Sequence, residues 1–225
     1  MGESRDQALL LRRIPFRESS LVLHLLTRDH GRITLMAKGA RRANSHLRPH
    51  LTQLTPLAIC WVGGARGMGT LTNINRGEEL LSARHHMAGL ELLALAGKLF
   101  RDGNQEGFHE SRAALQMLAH YSEPEVGVIA ASWLLLLQAG VISTLDHCWR
   151  CSSHNPPLSW VDGAALCQHC NPARLGDPIT TTIERLLTGY TLADPHAAWE
   201  RDTIQLGAKM IRELEQKIHH QGADR

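Results

Sequence analysis

Up to about Arg76 the apolar residues come in short runs: Ala8–Leu11, Ser20–Leu26, Arg32–Ala37, Leu57–Val62 and Thr70–Ile74. Each run has strand length, and most are β-branched or alternate with polar residues, the period of a half-buried strand. Turn residues separate them: Pro15 and Ser19, then Asp29-His30-Gly31, then the loop at Gly39, then the glycine run from Gly63 to Gly69. Five short antiparallel strands in so small a segment predict a closed or nearly closed barrel, because an open sheet would leave long bare edges. The oligonucleotide/oligosaccharide-binding (OB) barrel is the obvious candidate.

Beyond Gly77 the apolar spacing changes to three and four, the helical period. It predicts helices over Glu78–Phe100, Phe108–Tyr121 and Pro124–Gly140, with Pro124 in a first turn and Gly140 as terminator. Two more are predicted near Thr180–Tyr190 and from His196 to about His220. The last carries Ile204, Ala208, Ile211, Leu214 and Ile218 on one face. The pattern therefore predicts an α+β multidomain chain: an OB-fold barrel over 1–77, a helical domain over 78–145 plus 179–222, and an inserted module over 146–178.

Val126–Leu145 contains no charged residue and approaches the length of a membrane span. It includes Ser132, Gln138, Gly140, Ser143 and Thr144 and has no Lys/Arg cluster beside it. A central helix buried by other helices is the reading that fits, with no membrane partner. The start of the chain carries acidic residues and no apolar stretch, which predicts no secretory signal and a cytoplasmic protein.

Charge divides the chain as sharply as periodicity does. Residues 1–76 hold 12 Lys+Arg against 4 Asp+Glu, while the remainder is acidic, so the overall +2 conceals a basic first third. Such a surface attracts phosphate, and nucleic acid is the commonest polyanion available. Arg28, Arg32, Lys38, Arg41, Arg42 and Arg48 fall within about twenty residues, and Arg12, Arg13 and Arg17 form a second group at the first turn. Lys38, Arg41 and Arg42 are placed to track a phosphate backbone, with Gly39 letting main-chain amides approach it. Only Phe16 and Trp61 offer aromatic rings here. Binding dominated by phosphate, weakly selective and salt-sensitive, is expected, with Trp61 in the core or at the rim.

Four of the five cysteines form two pairs, Cys148-x-x-Cys151 and Cys167-x-x-Cys170, separated by fifteen residues. This is the spacing of a four-thiolate zinc site, in which two knuckles converge on one ion. Asn155-Pro156-Pro157, the strand-like Leu158–Val161 and Asp162-Gly163 supply the turns of a small ribbon with almost no apolar core of its own. Four thiolates leave no open position, so one structural Zn2+ per chain is expected. His147, His154 and His169 flank the quartet as surface residues or supports. Cys60 reads as a small buried hydrophobe.

No Walker A sequence, H-E-x-x-H, G-x-S-x-G or paired-carboxylate motif is present, and Gly64-x-x-Gly67-x-Gly69 lacks the setting of a dinucleotide loop. The expectation is a protein that is not an enzyme. A zinc-ribbon transcription or translation accessory factor binding nucleic acid non-specifically is the alternative, although no Lys or Arg lies between the cysteine pairs.

Arg17-Glu18-Ser19-Ser20-Leu21, Leu26-Thr27-Arg28-Asp29-His30-Gly31-Arg32, Ala37-Lys38-Gly39-Ala40-Arg41-Arg42 and the later Gly69-Thr70-Leu71-Thr72 resemble the N-terminal barrel of the RecO family of bacterial recombination mediators. The resemblance implies a DNA repair and recombination protein that binds single- and double-stranded DNA and anneals complementary strands. It also implies RecR and the C-terminal tail of the single-strand-binding protein as partners, RecA indirectly, and zinc on the quartet. Carried onto this chain, the DNA contacts are Arg32, Lys38, Arg41, Arg42 and Arg48. For the tail no motif carries over, and a groove rimmed by Lys98, Arg101 or Arg112 rests on chemistry alone.

Overall fold

The structure, a computed structural model, describes residues 2–64, 68–101, 106–189 and 199–223. Gly67 of the glycine run, Tyr190 and residues 196–198 at the expected helix ends lie outside the described residues. By packing, the chain forms two compact units, Met1–Gln116 and Met117–Arg225.

In the first unit, strands β1 (Glu3–Phe16), β2 (Ser20–Thr27), β3 (Gly31–Ala37), β4 (Leu57–Val62) and β5 (Gly69–Arg76) close into a barrel in the order β1-β2-β3-β5-β4. The barrel and the helices after it are the fold class predicted. β1 is far longer than the apolar run Ala8–Leu11 because it serves two neighbours. Its first half pairs with β4, from Glu3↔Val62 to Ala8↔Leu57, and its second half pairs with β2, from Ala8↔Thr27 to Phe16↔Ser20. Polar residues on its outer face hid that length.

A register shift between Leu10 and Arg12 marks a bulge. Leu10 enters the barrel core with Leu23, Leu25, Leu35 and Ile59, whereas Leu11 lies next to Gly97 of α1 (His86–Leu99). With both faces covered, β1 has a continuous apolar stretch where alternation would otherwise be expected. The loop after β3 sends Leu47 and Leu51 into the same core. Cys60 is only half-buried, because its position on β4 opposite Asn73 keeps it out of that interior.

Residues 78–85 were expected to be helical and are not, apart from a short 3-10 turn at Ala83–His85. The Gly77 and Leu80 amides instead donate to the carbonyls of Pro56 and Leu54, at 2.8 and 3.3 Å, which holds this stretch along the entry to β4. α1 then packs closely on it. A Cβ at Gly89 would stand 2.4 Å from Leu81 Cδ1 and 2.8 Å from Leu54 Cδ2, so a larger residue there would push both leucine side chains aside. α2 (Phe108–His120) follows, and the division between the units falls within it.

The second unit is built around α3 (Pro124–Gln138), buried along most of its length through Val126, Ile129, Ala130, Trp133, Leu135 and Leu136. Burial by protein accounts for the absence of charge from Val126 onward, while Glu125 is exposed in the first turn. Among the described residues no helix is long and apolar enough to cross a membrane. α4 (Thr181–Thr188) and α5 (Arg201–Ala223) pack on α3. Between α3 and α4 lies a three-stranded sheet of β6 (Leu158–Val161), β7 (Ala164–Cys167) and β8 (Asp177–Pro178), ordered β7-β6-β8.

Candidate nucleic-acid interface and metal centre

The hairpin β1-β2 turns through Arg17, whose φ of +52° is the left-handed conformation that non-glycine residues adopt at a cost of about 1–2 kcal/mol. The loop after β3 folds against this turn. Arg41 N donates to Ser19 O at 2.9 Å, Arg41 Nη1 donates to Arg17 O at 2.8 Å, and Gly39 N reaches Ser20 Oγ at 3.4 Å. Gly39 itself has φ +69°, and a Cβ there would meet Arg42 Cδ at 3.7 Å. Arg17, Lys38, Arg41 and Arg42 are thereby gathered at one end of the barrel, all exposed. Arg48 is exposed in the loop whose Leu47 and Leu51 enter the core, and Arg13 Nη1 donates to Leu51 O at 2.9 Å. Arg12 is exposed on β1 opposite His24.

Two members of the expected cluster leave it. β2 carries the chain from the Arg17–Ser19 turn to the Arg28–His30 turn, and its eight residues span roughly 24 Å. Arg28 sits at that far turn and is paired with Asp29 at 2.8 Å, which lowers the Asp29 carboxyl through the hydrogen bond from Arg28. Arg32, on β3 beside the far turn, is half-buried, and its Nη1 donates to Gly97 O at 2.8 Å and Phe100 O at 3.0 Å. These are carbonyls at the C-terminal end of α1, where a cation complements the helix dipole. Arg32 thus holds the barrel to α1. Sequence distance grouped these residues; the strand direction separates them.

The far end has its own features. Asp6, with its side chain fully buried, accepts from Gln7 N and Asp29 N and pairs with His30 Nδ1 at 2.8 Å. The His30 ring meets Trp61 edge-on at 5.1 Å. β3 and β5 share only the pairs Leu35↔Gly69 and Met36↔Thr70, and beside that short seam is a cleft of about 570 Å³ lined by His30, Arg32, Thr34, Trp61, Met68 and others. Trp61 is buried, as expected of a core or rim residue. None of Lys98, Arg101 and Arg112 lines this cleft.

In the second unit the four sulfur atoms of Cys148, Cys151, Cys167 and Cys170 lie within 4.8 Å of one another. Each pair sits on a tight turn: Ser152 N donates to Cys148 O at 2.9 Å, and Cys170 N and Asn171 N donate to Cys167 O at 3.1 and 2.9 Å. Cys151 Sγ and Cys167 Sγ are 3.7 Å apart. A tetrahedron of thiolates at the zinc–sulfur bond length has edges of about 3.8 Å, so the spacing suits that ion. Burial pushes the Cys148 thiol up, but backbone amides of Cys167, Cys151 and Arg150 outweigh it and bring it down to about 6. Cys170 is pushed up to about 12 by desolvation and by the sulfurs around it. Four thiols this close cannot all ionise without a cation among them, which is the chemistry of a metal-binding quartet. His147, His154 and His169 stand outside the quartet, with His147 Nδ1 on Asp146 at 2.8 Å.

The barrel's residues 1–77 match the family model described as Recombination protein O N terminal. The DNA repair protein RecO of Cupriavidus pinatubonensis is 33% identical over 200 residues, covering 85% of this chain and 65% of the relative. Those of Ralstonia nicotianae and Vibrio atlanticus are 34% and 33% identical, over 64% and 66% of this chain and 54% and 62% of their own length. The barrel is a RecO-family N-terminal domain, and the chain around it is similar to DNA repair proteins named RecO. The chain spans about half to two thirds of the length of the curated relatives it matches.

The ribbon of this chain differs from a core-poor module. Trp160 is buried and meets Trp133 of α3 at a tilt and Trp149 edge-on, at centroid distances of 6.2 and 5.6 Å. Glu213 of α5 accepts from Trp160 Nε1 at 2.8 Å and Gly163 N at 3.1 Å, while Lys217 Nζ donates to Gly163 O at 3.1 Å. Two of these tryptophans lie in the ribbon segment and signalled an apolar face. Glu213 had no such signal, since its partners are some fifty residues away in sequence.

Proposed function

We propose that this chain is a recombinational repair mediator whose barrel binds single- and double-stranded DNA through phosphate contacts at its Arg17–Arg42 end. On this reading Lys38, Arg41, Arg42, Arg17 and Arg48 neutralise phosphates, with Arg12 and Arg13 extending the basic surface along β1. Arg28 and Arg32 serve the barrel's own structure. The observation that carries the reading is the gathering of exposed cations from two separate segments onto one end of a RecO-family barrel. Phosphate screening on two strands at once lowers their repulsion while base edges stay free, so complementary strands pair faster with no covalent step. RecR, the C-terminal tail of the single-strand-binding protein and, through them, RecA loading complete the proposed role, carried out on the nucleoid.

The proposed metal is one zinc ion on the cysteine quartet. Soft thiolates favour zinc, and four of them close the coordination sphere, so its role is structural. The ribbon as a nucleic-acid reader has less support: Arg150 Nη1 donates to Cys170 O, and Arg174 lies on the turn after Cys170.

The test is annealing of complementary oligonucleotides precoated with the cognate single-strand-binding protein. Acceleration by this protein, without cleavage when magnesium is present, is the expected result. DNA binding with no acceleration would reduce the barrel to a generic binding module.

A further inference from the structure

We infer that Phe16 is a stacking platform for an unpaired nucleobase and gives the basic end of the barrel a preference for single over double strands. The inference rests on the reading of that end as the DNA-binding surface. Of the three phenylalanines, Phe100 and Phe108 are each 1% exposed, whereas Phe16 is 38% exposed. Phe16 is the last residue of β1 and pairs with Ser20, so it stands beside the Arg17–Ser19 turn among the gathered cations.

The ring's neighbour is a charge. The Arg17 guanidinium carbon lies 5.4 Å from the Phe16 centroid, the geometry of a cation–π contact. Arg17 holds it from a left-handed backbone that Arg41 clamps through the Arg17 carbonyl. An exposed ring next to fixed cations is the combination that single-strand-binding surfaces use, with phosphate on the cations and a base on the ring. In a duplex the bases are already stacked and paired, so the ring gains nothing from it. A single platform also leaves the other bases of a bound strand free to pair.

The experiment measures affinity by fluorescence anisotropy for a labelled oligothymidylate and for a duplex of equal length, across a salt series, with wild type, Phe16→Leu and Phe16→Trp. A stacked base predicts that Phe16→Leu weakens single-strand binding about five-fold or more. Duplex affinity and both salt slopes stay at the wild-type values, and Phe16→Trp matches or exceeds wild type on single strands. Equal losses on both DNA forms, or no loss on single strands, would overturn the inference while leaving the phosphate reading in place. Wild-type binding that ignores salt would overturn the phosphate reading and the inference with it. Thermal melts of both variants separate a binding loss from a folding loss.

Discussion

Arg32 and Lys38 stand six residues apart, yet their surroundings give them different work. Lys38 is exposed on the loop after β3, while Arg32 donates to two carbonyls at the end of α1. Hydrogen bonds from a charged donor contribute about 1.5–3 kcal/mol each, and a removed partner leaves part-buried carbonyls unmatched. Arg32→Gln should therefore lower unfolding free energy by about 1–3 kcal/mol, measured by urea denaturation. It should leave the salt slope of DNA binding unchanged. A flattened slope with intact stability would return Arg32 to the phosphate surface. Residue type and spacing made all six cations of residues 28–48 equivalent on paper. What distinguishes them is strand direction and the position of α1, and neither is visible in local sequence.

At the scale of elements, periodicity located β2 to β5 of the barrel and the helices α2 and α3 to within a few residues, and found the centre of β1. It failed where a segment is shared between two surroundings. β1 extends to fourteen residues because two strands use it, and its outward polar side chains concealed the ends. Residues 78–85 have helical spacing but give amides to the Leu54–Pro56 segment, and tertiary hydrogen bonds override local propensity there. The ribbon's two-residue turn at Asp162-Gly163, both with positive φ, was legible as hairpin chemistry. Its docking on α5 was not. Glu213→Ala removes the acceptor for Trp160 Nε1 and Gly163 N, and should lower the thermal midpoint with a loss of about 1.5–3 kcal/mol. Metal content should remain one per chain, since none of the four cysteines is touched; loss of the metal would show that α5 helps form the site.

At the scale of the whole molecule, the two compact units divide the candidate chemistry, the exposed cations of the barrel in one and the four thiols in the other. Chelation should remove one zinc per chain and redden tryptophan emission, because Trp149 and Trp160 belong to the ribbon and Trp133 packs against them. Cys148→Ser should reproduce that emission change, and DNA affinity of the barrel should stay close to wild type. The charge split was the clearest whole-chain signal in the sequence, and it put the excess of cations on the barrel; their gathering at one end depends on Arg41 reaching back to Arg17. The most direct measurement is the salt dependence of single-strand affinity for wild type and for the combined Lys38→Ala, Arg41→Ala and Arg42→Ala variant. Each phosphate contact contributes roughly 0.7 to the slope of log affinity against log salt, so losing three contacts should flatten it by about 2 while weakening binding. An unchanged slope in a folded variant would contradict the account and move the DNA surface away from this end of the barrel.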